Sequence, residues 1–272
     1  MMRMFSILLI LLFVLNDLQT DYKLSGTLKI QGDQFYSDPI GHLYIIRGNR
    51  IQKFNDYLEK LADYTNVYLG NITSVDVSDP LRILVYYKEF NQIVWLDNYL
   101  LELRSPIRLD DLFIDQAELV CSSSHGGFWI YNSLKKQIQY FDANLRFIHE
   151  SINLHPLTGE VIPCSMIEKS SIVYLNVPNI GILAFDRFGT YSQTLPVFPD
   201  KQFQVTDENI FYTCNNSFYF FNLSTYINTK FELPDTMDLQ LVMIQPEFLY
   251  LIKKDRIKIY ELTGSNPFEI NH

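Results

Sequence analysis

Apolar residues recur along the chain in paired blocks, and the second block of each pair ends on a short polar side chain. Six segments share the order apolar, any, any, bulky apolar, then Asp, Asn or Glu: IQKFN (51–55), IVWLD (93–97), IQYFD (138–142), ILAFD (182–186), FYFFN (218–222) and IKIYE (257–261). Their last residues lie 36 to 45 positions apart. Six recurrences at near-even spacing indicate an internal repeat of about 40 residues.

A continuous apolar run precedes each of these segments. The runs are LYIIRGN (43–49), ILVYYKE (83–89), GFWIYNS (127–133), SIVYLNV (171–177), NIFYTCN (209–215) and FLYLIKK (248–254). A strand that is covered on both faces has this unbroken apolar character. Turn residues such as Gly48-Asn49 and Asn215-Asn216 separate the two blocks, so each pair predicts a β-hairpin.

Polar turns on either side of each hairpin indicate one further strand upstream and one downstream. Ser-Asp-Pro occurs upstream at 37–39 and 78–80, and FDRFGTYSQTLP (185–196) places a turn before a downstream strand. Four antiparallel strands in about 40 residues, repeated six times, predict an all-β, six-bladed β-propeller that occupies residues 21–272 as one domain. Helical spacing appears once, in NDYLEKLADY (55–64), which disfavours a helical solenoid.

The segment YKLSGTLKIQG (22–32) precedes the first repeat and alternates like an edge strand. The last repeat segment lies close to the end of the sequence, so the last blade lacks a clear fourth strand. We expect the N-terminal strand to supply it, which closes the ring and removes an open sheet edge.

Composition narrows the class of protein. Hydrophobic residues make up 47% of the 272 and aromatic residues 15%, which suits a large strand-rich core. The net charge of −9 argues against nucleic acid as a partner, because phosphate binding needs a basic face. The three cysteines are widely spaced and form no CxxC zinc motif; one disulfide is an alternative, but three small buried apolar side chains are favoured.

The first 20 residues have the features of a secretory signal. Arg3 precedes the apolar run FSILLILLFVL (5–15), which is too short to cross a bilayer as a helix. The alternatives are a buried N-terminal segment or an uncleaved anchor. We therefore expect an exported protein without a transmembrane span in the mature chain, located in the periplasm or at the outer membrane.

The IxxFD pattern and the FDxxG turn at 185–189 carry a family resemblance. Across residues 33–262 the sequence resembles six-bladed propellers of the TolB-like and NHL-like kind. That broad family includes binding and scaffold modules as well as hydrolases and lyases, so the resemblance implies the architecture and leaves the activity open. Motifs of WD40, sialidase, kelch and quinone-binding propellers do not recur here.

Candidate chemistry is sparse. His125 and Trp129, in SSSHGGFWIYN (122–132), could meet a ligand on an exposed loop. The alternative, that the glycines relieve crowding and Trp129 is core, is favoured. Asp38 and Asp76 on inner strands could hold calcium or form an acid–base pair, although each also suits capping of its own turn, which is favoured. No catalytic residue, cofactor or metal ligand is assigned.

Inner strands should line a central channel and precede each hairpin. The ranges expected for them are 34–38, 72–78, 113–119, 163–168, 203–207 and 238–244, and their acids are Asp38, Asp76, Asp115, Glu118, Glu168, Asp207 and Asp238. This set contains few paired acids and no histidine.

The sequence favours an exported, non-catalytic propeller that acts as a protein-interaction or scaffold module in a bacterial envelope. Asp235-Thr236-Met237 fits the Asp-Ser/Thr-apolar glycosylation pattern of Bacteroidota envelope proteins. By analogy, the partners would be envelope proteins in a membrane-associated complex, such as a transport or type IX secretion and gliding apparatus. The alternative is a hydrolase, lyase or small-ligand-binding propeller with its site in the central channel.

Overall fold

Each repeated block of the sequence forms one strand of a four-stranded sheet. The computed structural model describes residues 21–29 and 31–263, so the signal-like segment 1–20 lies outside the described residues. The continuous apolar runs form the second strand of each sheet and the IxxFD segments form the third. Six antiparallel four-stranded sheets are arranged in a ring as the blades of a β-propeller, which confirms the predicted fold class.

The described residues form 24 strands, which we number in chain order. The first, β1 (Asp21–Leu28), belongs to the last blade. Blade 1 comprises β2 (Gln34–Ser37), β3 (Leu43–Arg47), β4 (Arg50–Phe54) and β5 (Lys60–Thr65). Blade 2 comprises β6 (Ser74–Asp76), β7 (Ile83–Tyr87), β8 (Gln92–Leu96) and β9 (Ile107–Arg108). Blade 3 comprises β10 (Ala117–Ser122), β11 (Phe128–Asn132), β12 (Gln137–Phe141) and β13 (Phe147–Glu150).

The second half of the ring repeats this plan. Blade 4 comprises β14 (Ser165–Lys169), β15 (Ile172–Val177), β16 (Gly181–Phe185) and β17 (Tyr191–Leu195). Blade 5 comprises β18 (Phe203–Val205), β19 (Asn209–Cys214), β20 (Ser217–Asn222) and β21 (Asn228–Phe231). Blade 6 comprises β22 (Leu239–Ile244), β23 (Phe248–Lys253), β24 (Ile257–Thr263) and β1.

The N-terminal strand closes the ring, as the sequence predicts. Strand β1 pairs antiparallel with β24 from Asp21 opposite Thr263 to Leu28 opposite Ile257. The ring of Tyr22 packs edge-on against Tyr260, 6.2 Å between centroids. The first described strand of the chain is therefore the outer edge of the last blade.

The hydrophobic core lies between blades rather than within any one of them. Six clusters of buried side chains each combine residues of two neighbouring blades. In the cluster between blades 3 and 4, for example, Trp129 packs with Leu175 and Phe185. A blade has two apolar faces and cannot bury both alone, so each depends on its neighbours.

First strands of neighbouring blades contact one another, as β10 does with β6 and β14, whereas outer strands such as β13 are mostly exposed. The first strand of each blade therefore lines the channel.

Strand β10 begins and ends later than predicted, because a 3-10 turn (Leu109–Leu112) and Phe113, with φ of 60°, redirect the chain before it. Ser122 thus lies on an inner strand and Asp115 does not.

Antiparallel order gives the ring two distinct faces. Face A carries the turns that join first to second strands and third to fourth strands, including Asp38, His125 and Asp186. Face B carries the turns that join second to third strands and the crossings between blades, including Gly48 and Asp255.

Helix content is small. It consists of two 3-10 turns (Lys88–Phe90 and Leu109–Leu112) and α1 (His155–Thr158) within the part of the chain that the structure describes. None of the helices in residues 21–29 and 31–263 has the length and apolar character needed to traverse a bilayer.

The three cysteines are free, and only Cys121 is buried, so the expectation of three buried thiols was wrong for Cys164 and Cys214.

Candidate functional site

Polar side chains of the inner strands form hydrogen bonds between neighbouring blades. The Tyr36 hydroxyl of blade 1 donates to Gln34 Oε1 at 2.6 Å and accepts from the Val75 N–H of blade 2 at 3.4 Å. Gln204 of blade 5 exchanges two hydrogen bonds with the Ile244 backbone of blade 6, at 2.8 and 3.2 Å. Burial raises the pKa of Tyr36 to about 12, so the phenol stays protonated at neutral pH. These contacts tie neighbouring blades together beside the channel.

Asp38 is fully engaged in its own turn. Its buried carboxylate accepts the N–H groups of Ile40 and His42, at 3.1 and 2.9 Å, and lies 2.9 Å from His42 Nδ1. The Tyr44 hydroxyl donates to it at 2.9 Å, and burial followed by the Asp38 charge raises the pKa of that phenol above its usual range. Gln245 of blade 6 donates to the Asp38 carbonyl at 3.0 Å. The turn is thereby fixed to the neighbouring blade.

The loop Ser123–Gly127, which we call the His125 loop, is held from both sides. On one side the Glu168 carboxylate of blade 4 accepts Trp129 Nε1–H at 2.6 Å, Ser124 N–H at 3.0 Å and the Ser124 hydroxyl at 2.5 Å. On the other side Arg82 of blade 2 lies 4.3 Å from the Trp95 ring centroid and donates to the carbonyls of Gly126 and Gly127. A cation and an anion from flanking blades thus fix one loop of blade 3.

Conformation and steric crowding explain why residues 126 and 127 of this loop are glycines. Gly126 has a φ of 90°, which a residue with a Cβ rarely adopts. A Cβ on Gly127 would lie 1.9 Å from the Phe141 carbonyl oxygen. Trp129 is 1% exposed and packs against the Tyr140 and His149 rings. Steric need therefore accounts for this motif without a ligand.

Asp76 connects blades 2 and 3. Its carboxylate accepts Ser78 N–H at 2.9 Å and Ser122 N–H at 2.8 Å. Burial, with a smaller contribution from the Glu168 charge, raises the pKa of Asp76. Burial and the same two carboxylates raise the pKa of the Cys121 thiol well above its usual range. The thiol therefore stays protonated and is a poor nucleophile.

The group formed by Asp76, Ser124, His125 and Glu168 lacks the geometry of a nucleophile relay. In such a relay the acid orients the histidine and the histidine takes the serine proton. Here the Ser124 hydroxyl donates to Glu168, and His125 Nδ1 lies 3.3 Å from Ser124 Oγ and 3.9 Å from Glu168 Oε1. The serine and the acid approach the same imidazole nitrogen, so Glu168 does not orient the ring for proton transfer from Ser124 and instead positions the His125 loop.

The structure brings three of the four candidate residues together. Asp76, His125 and Trp129 are linked through Ser122 and Glu168, whereas Asp38 belongs to a separate cluster with His42 and Gln245. Any ligand or partner role for the four stays a prediction. Among the described residues, no three His, Cys, Asp or Glu side chains converge as metal ligands.

The Asp or Asn residue that ends each of the first five IxxFD segments forms a turn on face A, whereas Glu261 of the sixth lies within β24. Asp97, Asp142 and Asp186 each accept the N–H groups of the residues two and four positions later, at 2.8 to 2.9 Å. Asn55 does the same at 3.1 and 2.8 Å. These side chains are the turn formers that the sequence predicts.

These turns project large apolar side chains from face A. In three of the five turns the residue two positions after the turn former is aromatic: Tyr57, Tyr99 and Phe188 are 80%, 69% and 58% exposed. In the other two turns this position is Asn144 and Ser224. Ile40 and Leu81, at the corresponding positions after Asp38 and Asp79, are 67% and 68% exposed. Because they come from equivalent turns, face A carries an array of exposed aromatic and aliphatic side chains. Sequence reasoning missed this array, although the recurring turn former was its signal.

Comparison with known proteins identifies a fold and no family. No family model matches the sequence, and no curated protein matches it. Similar solved structures include the Pan2 WD40 domain of Neurospora crassa (TM-score 0.60, 9% identity, covering 94% of this chain and 99% of that one). Virginiamycin B lyase of Staphylococcus aureus has a TM-score of 0.57 at 12% identity over 89% and 100% of the two chains. BamB of Moraxella catarrhalis has a TM-score of 0.54 at 7% identity over 90% and 99%. At these identities the likeness shows the propeller fold alone.

Proposed function

We propose that the protein is an exported, non-catalytic propeller that acts as a protein-interaction module in a bacterial envelope, as an accessory part of a transport or type IX secretion and gliding apparatus. The exposed apolar array of face A carries this proposal. Aromatic side chains on rigid turns are typical of protein contact surfaces, because they bury large areas at little cost in conformational entropy.

Charge on face A indicates the chemistry of the partner. The turns of that face contain four basic residues, Arg82, Arg104, Arg146 and Arg187, against a larger number of Asp and Glu residues. Arg146 is already paired with Asp142 at 2.6 Å. A partner surface with apolar residues inside a basic rim would complement this face.

The polar clusters near the channel favour a binding role over catalysis. The carboxylates of Asp38 and Glu168 are saturated by donors from their own turn or from a neighbouring blade. The segment 1–20, with a basic residue before a short apolar run, supports export. BamB has a similar fold, and its relation to the envelope location proposed here is one of analogy.

The proposal can be tested with a photo-crosslinking amino acid at Tyr57 or Tyr99, in protein produced from its own gene in its native host. Tyr68 is the matched control, because it is an equally exposed tyrosine on face B. We expect a discrete protein adduct from the two face A positions and none from Tyr68, with the protein in the envelope fraction.

A second measurement uses substitution of the same residues. Tyr57→Ser combined with Tyr99→Ser should abolish the complex on native electrophoresis and leave the melting temperature unchanged, and Tyr68→Ser should change neither. Adducts from Tyr68 alone would refute the face A assignment. Recovery of the uncleaved protein in the cytosol would refute export.

A further inference from the structure

A groove on face B lies where the ring closes, between blade 6 and blade 1. Its volume is about 650 Å³, and we call it the seam groove. One wall is the β3–β4 hairpin, the other is the Asp255 turn, and Lys29 follows the closing strand β1. Residues used below are Lys29, Ile45, Arg47, Arg50, Gln52 and Asp255.

The seam groove contains an unfavourable pair of like charges. Arg47 and Arg50 are directly opposite each other across the hairpin, and like charges in that position destabilise a sheet. Arg50 is compensated by Asp63 on β5, with an N–O distance of 2.6 Å. Within residues 21–29 and 31–263, Arg47 forms no ion pair.

The one acid that lines the groove is already neutralised. Asp255 accepts two hydrogen bonds from Arg256, at 2.8 and 2.7 Å. The Arg256 guanidinium, and more weakly Lys29, lowers the pKa of Asp255. The groove is therefore positively charged on a chain whose net charge is −9.

We propose that the seam groove binds a small organic or inorganic polyanion with two or more carboxylate or phosphate groups. The Arg47 guanidinium can bind an oxyanion through two parallel hydrogen bonds, and Lys29 can bind a second oxyanion across the groove. The Gln52 carboxamide supplies a neutral donor, and Ile45 supplies an apolar wall. The volume lies within the range of small-molecule sites.

Binding would also act on ring closure. The groove is built from the first blade, the last blade and the chain that leaves the closing strand. A ligand that bridges these walls binds only the closed ring and therefore stabilises it by mass action. Ligand binding should thus raise the unfolding temperature of the whole propeller.

The test uses citrate and inorganic pyrophosphate as probes, with acetate at matched ionic strength as the reference. Isothermal titration should give saturable binding with one site per chain, and the melting temperature should rise with probe concentration. The citrate and pyrophosphate arms separate the carboxylate source from the phosphate source. Failure of both probes to exceed acetate would overturn the proposal.

Arg47→Gln provides the decisive variant. It should weaken binding by about tenfold or more, the loss expected for a charged hydrogen-bonding partner. Without ligand it should melt at the same or a higher temperature, because it removes the repulsion with Arg50. Lys201→Gln, an equal charge change elsewhere on face B, should bind like the unmodified chain. Equal binding by Arg47→Gln, or equal loss in both variants, would refute a specific site.

Discussion

Replacing Glu168 with alanine should destabilise the propeller by about 2 kcal/mol. Its side chain is 2% exposed and accepts hydrogen bonds from Trp129 Nε1–H, Ser124 N–H and the Ser124 hydroxyl. The alanine variant leaves the buried Trp129 indole N–H without an acceptor, whereas the Ser124 donors, on an exposed residue, can turn to water. The substitution therefore measures how strongly blade 4 holds the His125 loop.

The magnitude follows from the donor that cannot move. A buried donor without a partner costs about 1–3 kcal/mol. Ser124 is exposed, so its hydroxyl and amide can donate to water, but the Trp129 indole N–H is buried and fixed by packing. One buried donor gives roughly 1–3 kcal/mol, with a centre near 2. At about 2–4 °C per kcal/mol for a chain of this size, the melting temperature should fall by roughly 4–8 °C.

Urea unfolding followed by tryptophan fluorescence suits this measurement. The chain has two tryptophans, and both Trp95 and Trp129 contact the groups that brace the loop. Glu118→Ala is the matched control on the adjacent inner strand. Glu118 pairs with Lys88 at a half-exposed site, so its loss should cost less than about 1 kcal/mol.

The loss of unfolding free energy in Glu168→Gln should lie between the losses in Glu168→Ala and Glu118→Ala, because glutamine keeps one acceptor oxygen. If Glu168→Ala and Glu118→Ala cost the same, under about 1 kcal/mol, the reasoning about the buried carboxylate is refuted. A large loss in Glu168→Ala with no loss in Glu168→Gln would assign the effect to side-chain volume rather than to charge-assisted hydrogen bonds.

Three further predictions follow. Deletion through Leu28, which removes β1, should unfold the whole ring in one transition instead of fraying one end, and an unchanged thermal melt would contradict this. Hydrogen bonds from Lys253 and Lys258 hold the pKa of Asp235 well below its usual range, so its stabilisation is present above about pH 4 and is lost as the pH falls further. Asp235→Asn should lower the unfolding free energy by about 1 kcal/mol at pH 7 and reduce its further loss below about pH 4, as measured by urea unfolding. An unchanged dependence on pH would contradict a stabilising role for the contacts of Asp235 with the two lysines. Burial lowers the pKa of His149, so the unfolded chain takes up a proton below about pH 6.5 that the folded protein resists. Stability should therefore fall from pH 7.5 to 5.5, less so in His149→Phe, and parallel slopes would exclude His149 as the cause.

The architecture was predictable because its determinants are local and repeated. Each hairpin has two apolar strands separated by turn residues, and four of the IxxFD segments end on a side chain that accepts backbone N–H groups two and four positions later. Asn55 to Tyr64 has helical apolar spacing but forms no helix. There Asn55 forms a turn and the remainder pairs as β5, because the neighbouring strand β4 supplies hydrogen-bond partners.

The candidate cluster could be predicted only in part, because its contacts join residues far apart in the sequence. Glu168 and Trp129 are 39 positions apart, and Arg82 and Gly127 are 45 apart. Neither spacing is visible in a hydrophobic pattern. The sequence marks His125 and Trp129 as unusual but does not identify the carboxylate and the guanidinium that fix them. The late start of β10 has a local origin instead, because a 3-10 turn and one residue with positive φ shift the strand.

The polar groups of this propeller divide into those whose hydrogen bonds are made within the protein and those that face solvent and can still bind an oppositely charged group. Asp38, Asp76 and Glu168 belong to the first kind, because each accepts hydrogen bonds that fix a turn or join two blades. Removing such a group should chiefly lower stability. Arg47 belongs to the second kind: it lies opposite Arg50, and within the described residues Asp63 pairs with Arg50 while Arg47 forms no ion pair. A group that a fold keeps at a net cost is a better functional candidate than one that the fold needs, so binding should be sought at the seam groove and on face A before the channel.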